Sequence, residues 1–466
     1  MAHENFDLIS VGGGYAGLAA AARAAQLGLK AAVLERGAGE FYPCNSRVAG
    51  GVMHVSYHDP MDDAALLARA ITEITAGYAD PVLVEAMAGN TRRAIEWLGS
   101  EGARYESTGS GWRNCVLAPV RPPVTQMVWQ GAGADVALRT LEKNLLTRGG
   151  VLMRDTQVID LIMENGECQG VRAKRGDAEI APRARHVVLA DGGFQANDDM
   201  SGKYLTPAPR SLKQRNARSG FGDGIRMARA AGAAITELNA FYGHVLARDA
   251  MHNDRVWPYP QIDELAASGL LVNAAGQRIC DEGMGGVYLA NMIAREADPL
   301  GTSVVFDEAI WQGPGRAAGI PPNAELINEG GTVHKADTIA ALAAKLNVNA
   351  DGLSATVRDY NAAIASNTIG NLRPARSGTR RKPMPVATAP FYGIPACCGL
   401  TYTMGGIRIS RDAEVLREDR TKIAGLYAAG ASTGGLEGGP AVGYAGGLMK
   451  ALIFGMLAAE HAAGSR

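Results

Sequence analysis

The sequence predicts an α/β fold: a Rossmann-like domain that the chain leaves for an inserted α+β layer and then rejoins. Three observations carry this. Residues 7–36, DLISVGGGYAGLAAAARAAQLGLKAAVLER, set a short strand, three spaced glycines, an Ala-rich helix, a second strand and a terminal acid in that order. From about Ala240 to Pro395 the alternation of strand and helix signals gives way to aromatic, Pro and loop residues. After Tyr402 the Gly-rich strand and turn motifs resume and end in an apolar helix. The boundaries that follow are 1–239 and 396–466 for the first domain and 240–395 for the insert.

In the first unit, Gly12 permits the tight turn off the strand, Gly14 lets the backbone approach a pyrophosphate, and Gly17 lets helix and sheet pack closely. Tyr15 and Ala16 stand at the helix N-terminus, where free N–H groups and the positive dipole end favour phosphate. Glu35 closes the second strand, placed to accept hydrogen bonds from an adenosine ribose, with Arg36 beside it. A chance Gly-rich turn would supply only the glycines; here strand, helix and acid agree. No second unit of this kind occurs, so one dinucleotide site is expected.

Of the 466 residues 47% are hydrophobic, enough for a large core and more than one domain. A formal net charge of -1 gives no basis for a nucleic acid or an anionic membrane as partner, and no apolar run is long enough to span a bilayer. The opening MAHENFDLIS has neither the basic nor the apolar part of a signal peptide, which points to the cytoplasm. Cys44, Cys115, Cys168, Cys280, Cys397 and Cys398 have no CxxC spacing, so neither a disulfide framework nor a metal site is expected.

Residues 44–51, CNSRVAGG, follow Glu35 closely, and small polar residues leading into a Gly-Gly pair suit a backbone laid against a second phosphate and a flat ring. From here the chain resembles the fumarate reductase and succinate dehydrogenase flavoprotein family, and the resemblance recurs along nearly its whole length. It implies FAD as the cofactor, lined by Cys44, Asn45, Ser46, Ala49, Gly50 and Gly51. Gly131-Ala132-Gly133 opens a helix through Leu145, a strand follows near Val151, and Thr156-Gln157-Val158 leads into Leu161-Ile162. The family counterpart of Val158 holds the adenine through its backbone. The run 187–194, VVLADGGF, resembles the family's VLATGGF strand and turn, which places Ala190, Asp191 and Gly192 at the cofactor with Asp191 where Thr is usual. GFGDG at 220–224 reads as a turn in which Asp223 caps the next helix.

Within the insert, residues 271–282 resemble the family's IVNxxGxRFxxE hairpin. Arg373, Arg376, Arg380, Arg381 and Lys382, set among prolines in 371–389, read as a basic solvated loop in preference to an anion site. On the return, Thr403-Met404-Gly405-Gly406 matches the family's TMGG turn, and residues 425–430 match its GLYAAG strand, ending at Gly430 under the flavin. The family then places a Glu that holds the ribityl chain; this chain has Ala431, and Glu437 is the expected replacement. Gly447 and Leu448 begin the last helix, whose N–H groups would stabilise an anionic reduced flavin.

The resemblance implies chemistry on a C–C bond beside a carbonyl or carboxylate. The dicarboxylate machinery of fumarate reductases is largely missing, since Gly286, Thr401 and Tyr444 stand where an Arg, a His and an Arg are expected; His244 alone has a counterpart. Tyr444-Ala445-Gly446-Gly447 resembles the segment of 3-ketosteroid Δ1-dehydrogenases in which a phenol and a backbone N–H bind the substrate ketone. Such donors stabilise an enolate. Tyr288 or Tyr242 would then take the α proton, provided its surroundings lower the phenol pKa. An Arg before the GDG turn and a Gly-Leu helix start are similar to tricarballylate dehydrogenases, so Arg215 or Arg218 would bind a carboxylate.

The expected function is that of an FAD-dependent oxidoreductase on CH–CH bonds, desaturation favoured, with hydride passing between the substrate β carbon and flavin N5. A polycarboxylate dehydrogenase, a flavin monooxygenase and a non-catalytic flavoprotein are the alternatives. The substrate is a small carbonyl or carboxylate compound, with the external electron partner left open. Cys44 has the spacing at which succinate dehydrogenases link a His to the flavin. A noncovalent packing role is nonetheless preferred, because soluble members hold FAD without a bond.

Overall fold

The computed structural model describes residues 5–109, 111–378 and 380–465; Met1 to Glu4, which open the N-terminal stretch read above, and Thr379 of the basic loop lie outside them. Five parallel strands form the centre of a nine-stranded sheet, in the spatial order Lys422–Ala428, Arg183–Leu189, Asn5–Val11, Ala31–Leu34 and Val151–Met153. Every residue of Ala31–Leu34 is buried, as a parallel strand covered on both faces requires. The helix Tyr15–Gln26 is buried almost all round, and its alanines are the reason it fits. They let the C-terminal helix Gly447–Gly464 lie directly against it, where a Cβ on Gly455 would collide with the Ala16 carbonyl. On the sheet side, a Cβ on Gly17 would collide with the Gly12 carbonyl, and Gly12 itself turns the chain at φ +101°.

The helix expected from Gly133 runs Gly133–Thr147 and leads into the strand Val151–Met153. An antiparallel ladder of Thr156–Glu164, Glu167–Arg175 and Ala178–Ile180 joins the large sheet where Gly170 meets Arg183.

A second, six-stranded sheet is built on one long strand, Phe391–Met404. This strand pairs antiparallel with Ser303–Asp307, His334–Ala336 and Ala240–Ala247, and parallel with Lys213–Gln214. The boundary expected between 395 and 396 falls inside it. Between Tyr242 and Gly243 the register slips: Tyr242 faces Tyr402 and Gly243 faces Leu400, so Thr401 is the extra residue of a bulge. Gly243 is required there, since a Cβ would collide with the Gly399 carbonyl. Tyr242 and His244, two residues apart, share one face of the strand.

The hairpin at 271–282 has one full arm, Leu270–Val272, and a turn through Gly276 at φ +75°. Its second arm reduces to a single bridge between Val272 and Arg278, because Arg278 turns inward to pair with the buried Glu282 at 2.5 Å. Arg376 joins this group at 1% exposure, donating to the Ala267 carbonyl at 2.7 Å. The expectation of a solvated basic loop therefore fails at Arg376: a guanidinium that has lost water is held by backbone carbonyls and a buried carboxylate. Arg373, Arg381 and Lys382 are exposed as expected, Arg373 bonded to local carbonyls.

Candidate active site

One cavity of about 1100 Å³ is lined by residues of both sheets and their connecting segments. At one end lie Gly12, Gly14, Tyr15, Ala16, Glu35 and Arg36, followed by Cys44, Asn45, Ser46, Ala49, Gly50 and Gly51. Val158, Ala190, Asp191, Gly192, Gly430, Ala431, Gly447 and Leu448 line the same space. Gly17 alone of the expected cofactor residues is off the wall, packed beneath Gly12.

This end fits a dinucleotide. A Cβ on Gly14 would meet only Ser46 Oγ, at 3.2 Å, and one on Gly50 only Arg121, at 3.8 Å, so both glycines leave cavity space that a side chain would fill. The Tyr15 N–H donates to Ser46 Oγ at 2.9 Å, which holds the small polar segment over the helix N-terminus. Glu35 accepts the N–H groups of Gly13 and Gly37, each at 2.7 Å, and burial raises its pKa. Asn45 ties three segments together, donating to the Thr401 carbonyl and accepting the Ala217 N–H, both at 2.9 Å. Gln195 Oε1 is buried without a partner among the described residues, and Gln195 lines the cavity.

Two expectations are corrected here. Asp223 does not cap the helix Asp223–Ala230; it is the first helical residue and pairs with Arg36 at 3.5 Å. The helix N–H of Gly224 is instead accepted by Asp191 at 2.7 Å, and burial pushes the Asp191 carboxyl up to about 6. Glu437 does not line the cavity: its carboxylate pairs with buried Lys450 and accepts from Tyr402 at 2.9 Å and the Ala445 N–H at 3.1 Å. With those partners it fixes the loop before the last helix. Burial pushes the Cys44 thiol up to about 12, which disfavours the thiolate that a thioether requires. Acid precipitation of the FAD-loaded protein is accordingly expected to leave all flavin in the supernatant; a yellow pellet that turns colourless in Cys44→Ser would overturn this.

At the other end stand Tyr242, His244, Arg215 and Tyr444. Tyr288 is corrected: it is absent from the wall, and its half-buried ring packs against the hydrophobic core at the start of the helix Gly286–Arg295. The Tyr444 ring stacks on Tyr242 with centroids 3.9 Å apart, and the Gly447 N–H donates to the Tyr444 hydroxyl at 3.3 Å. His244 lies between Asp263, at 2.5 Å from Nδ1, and the Tyr242 hydroxyl, at 3.0 Å from Nε2. Gly286 makes room for this acid, since a Cβ there would collide with the Asp263 carboxylate. The expected lowering of a base phenol is not found at Tyr242 or Tyr288; burial raises both.

The cavity also gathers residues that sequence reasoning passed over. Tyr259 accepts from Arg121 at 2.8 Å, and although burial opposes its ionisation, Arg215 and Arg121 outweigh that and lower its pKa. His54 accepts the Tyr57 N–H on Nδ1 at 3.2 Å, so Nε2 carries the proton; burial pushes the ring down to about 4 and keeps it neutral. Arg380 and Arg381 of the basic loop also line the cavity, Arg380 donating to the Ile74 carbonyl at 2.7 Å and Arg381 pairing with Glu264 at 2.6 Å. Among the described residues Arg121, Arg215 and Arg380 have no acid partner: Arg215 reaches Thr401 Oγ1 at 3.1 Å, at the bulge. Arg218, the other candidate for a carboxylate, is off the wall.

The FAD binding domain family matches residues 7–443. The chain is 28% identical to an NADH:acrylate oxidoreductase of Vibrio harveyi over 83% of its own length and 37% of that protein. It is 30% identical to a 3-oxosteroid 1-dehydrogenase of Mycobacterium tuberculosis over 68% of its own length and 61% of the relative. The chain thus spans less than two thirds of the length of each of these two curated relatives. In fold it is similar to the crystal structure of 3-ketosteroid delta1-dehydrogenase from Sterolibacterium denitrificans in complex with 1,4-androstadiene-3,17-dione, with a TM-score of 0.74 and 19% identity, covering 99% of this chain and 100% of that one.

Proposed function

The chain belongs to the FAD binding domain family, and we propose that it is an oxidoreductase that removes hydrogen from a C–C bond beside a carboxylate, acting on a small polycarboxylic acid. Bound FAD supplies the hydride chemistry. In this reading the Gly14 and Ser46 turn holds the pyrophosphate, Glu35 the adenosine ribose, the Val158 backbone the adenine, and the helix start at Gly447 and Leu448 the flavin ring. Residues 240–395 form the layer that covers the substrate.

The observation that carries the substrate class is the set of four guanidiniums, Arg113, Arg121, Arg215 and Arg380, that line the cavity without an acid partner among the described residues. Guanidiniums gathered on a cavity wall without counter-ions make that wall positive, and carboxylates on the substrate would pair with them through bidentate, charge-assisted hydrogen bonds. Tyr444 and the Nε2–H of His54 then donate to the oxygen beside the reacting carbon. A ketone in place of one carboxylate is the second reading, favoured by the pairing of the Tyr444 hydroxyl with the Gly447 N–H. Desaturation is the direction we favour; the imidazole of His244, whose pKa burial lowers, is neutral at neutral pH and is the group at hand to accept the proton.

No helix among the described residues is long and apolar enough to cross a membrane. We assign the protein to the cytoplasm on its six unbridged cysteines, two of them adjacent. The deciding experiment mixes the FAD-loaded protein anaerobically with saturated polycarboxylic acids, cyclic ketones and ketosteroids and follows flavin absorbance. Bleaching by polycarboxylic acids is expected; bleaching by ketosteroids alone, or incorporation of oxygen into a product in air, would overturn the reading.

A further inference from the structure

Three side chains from two elements form a single hydrogen-bonded row that ends on the cavity wall. Asp263, the first residue of the helix Asp263–Ser268, is fixed by the Val245 N–H on Oδ1 at 2.7 Å and meets His244 Nδ1 through Oδ2 at 2.5 Å. His244 Nε2 meets the Tyr242 hydroxyl at 3.0 Å. The order sets the tautomer: the carboxylate takes the proton on Nδ1, so the bare Nε2 accepts from the phenol. Each position is built for this. Gly286 leaves the space that Asp263 occupies, Gly243 lets the strand pass Gly399, and the Tyr444 ring holds Tyr242 flat.

We propose that Tyr242 transfers the proton of the substrate carbon α to its carboxylate, with His244 as the base behind it and Asp263 as the orienting acid, a Tyr-His-Asp counterpart of the serine hydrolase triad. The proposal rests on the substrate reading above. As the Cα–H bond breaks, its proton passes to the Tyr242 oxygen and the phenol proton passes to His244 Nε2. The electron pair stays on the substrate as an enolate, and the new imidazolium is paired with Asp263. Run backwards, the same row delivers a proton to the α carbon. The relay also removes a difficulty: a buried phenol need not ionise alone when its own proton leaves in the step that brings the new one.

Tyr242 and His244 touch the reaction; Asp263 is a positioning residue acting through His244. The test uses the FAD-loaded protein. Independently of any substrate, proton NMR is expected to show a far-downfield imidazole N–H resonance that disappears in His244→Ala and in Asp263→Asn. With an acid that bleaches the flavin, Tyr242→Phe and His244→Ala should each slow bleaching on the order of a hundredfold or more with flavin content unchanged. Added imidazole should restore His244→Ala, which a structural role would not allow. Bleaching at the parental rate in either variant, or no downfield resonance, would overturn the relay. Failure of every compound to bleach the unaltered protein would count against the substrate reading instead, and the resonance alone would then judge the row.

Discussion

Gly14→Val is expected to yield a folded protein that holds no FAD. A Cβ at this position meets one atom, Ser46 Oγ at 3.2 Å, so the apoprotein accommodates the branched side chain by a small shift of a hydroxyl. The methyl groups would then stand in the cavity beside the N-terminus of Tyr15–Gln26, in the space proposed for the pyrophosphate. Loss of flavin absorbance with an unchanged thermal transition of the apoprotein is the expected result. Gly17→Val is the contrasting variant: its Cβ would collide with the Gly12 carbonyl, between helix and sheet, where nothing flexible can yield. It should destabilise the fold as a whole. A Gly14→Val protein that keeps a full complement of FAD would sink the placement of the cofactor.

The contrast shows what was legible in the chain. The turn at Gly12 to Gly17 could be read because its glycines, its helix and the acid at Glu35 are close in sequence and their roles are set by local backbone geometry. The long-range partners were not. Asp223 looked like a helix cap by its position, but the capping oxygen comes from Asp191 in another segment. Glu437 looked free to replace a missing carboxylate, but Lys450, one helical segment later, neutralises it. The basic loop read as solvated because five cations among prolines usually are; Arg376 is buried because Glu282, far away in sequence, lies beside it.

The substrate end was the least legible part. Tyr288 and Tyr242 carried equal weight as sequence candidates, and only the strand pairing separates them: Tyr242 lies beside His244 on a strand facing the cavity, whereas Tyr288 sits on a helix packed into the core. His54, Arg121, Tyr259 and Asp263 carry no motif. Their chemistry arises where four separate segments converge, and single-sequence spacing cannot encode that convergence. The Trp-Pro-Tyr-Pro run at 257–260 was the one available signal, an aromatic held between prolines in an otherwise irregular stretch.

Tyr444→Phe is expected to slow flavin reduction by substrate about a hundred- to a thousandfold, which corresponds to about 2.7–4 kcal/mol for one donor to a developing oxyanion. The substitution removes only the hydroxyl. The phenyl ring keeps its stack on Tyr242 and its edge contact with His54, so flavin content and thermal stability should be unchanged. Burial raises the Tyr444 pKa well above that of a free phenol, so at neutral pH the hydroxyl keeps its proton and donates as a neutral group. A donor of this kind gains most when charge builds on the oxygen it faces, so the loss should fall on kcat more than on KM. The Nε2–H of His54 remains as a second donor and should sustain the residual rate. An increase in KM alone would reduce Tyr444 to a substrate contact, and a parental rate in Tyr444→Phe would remove it from the mechanism.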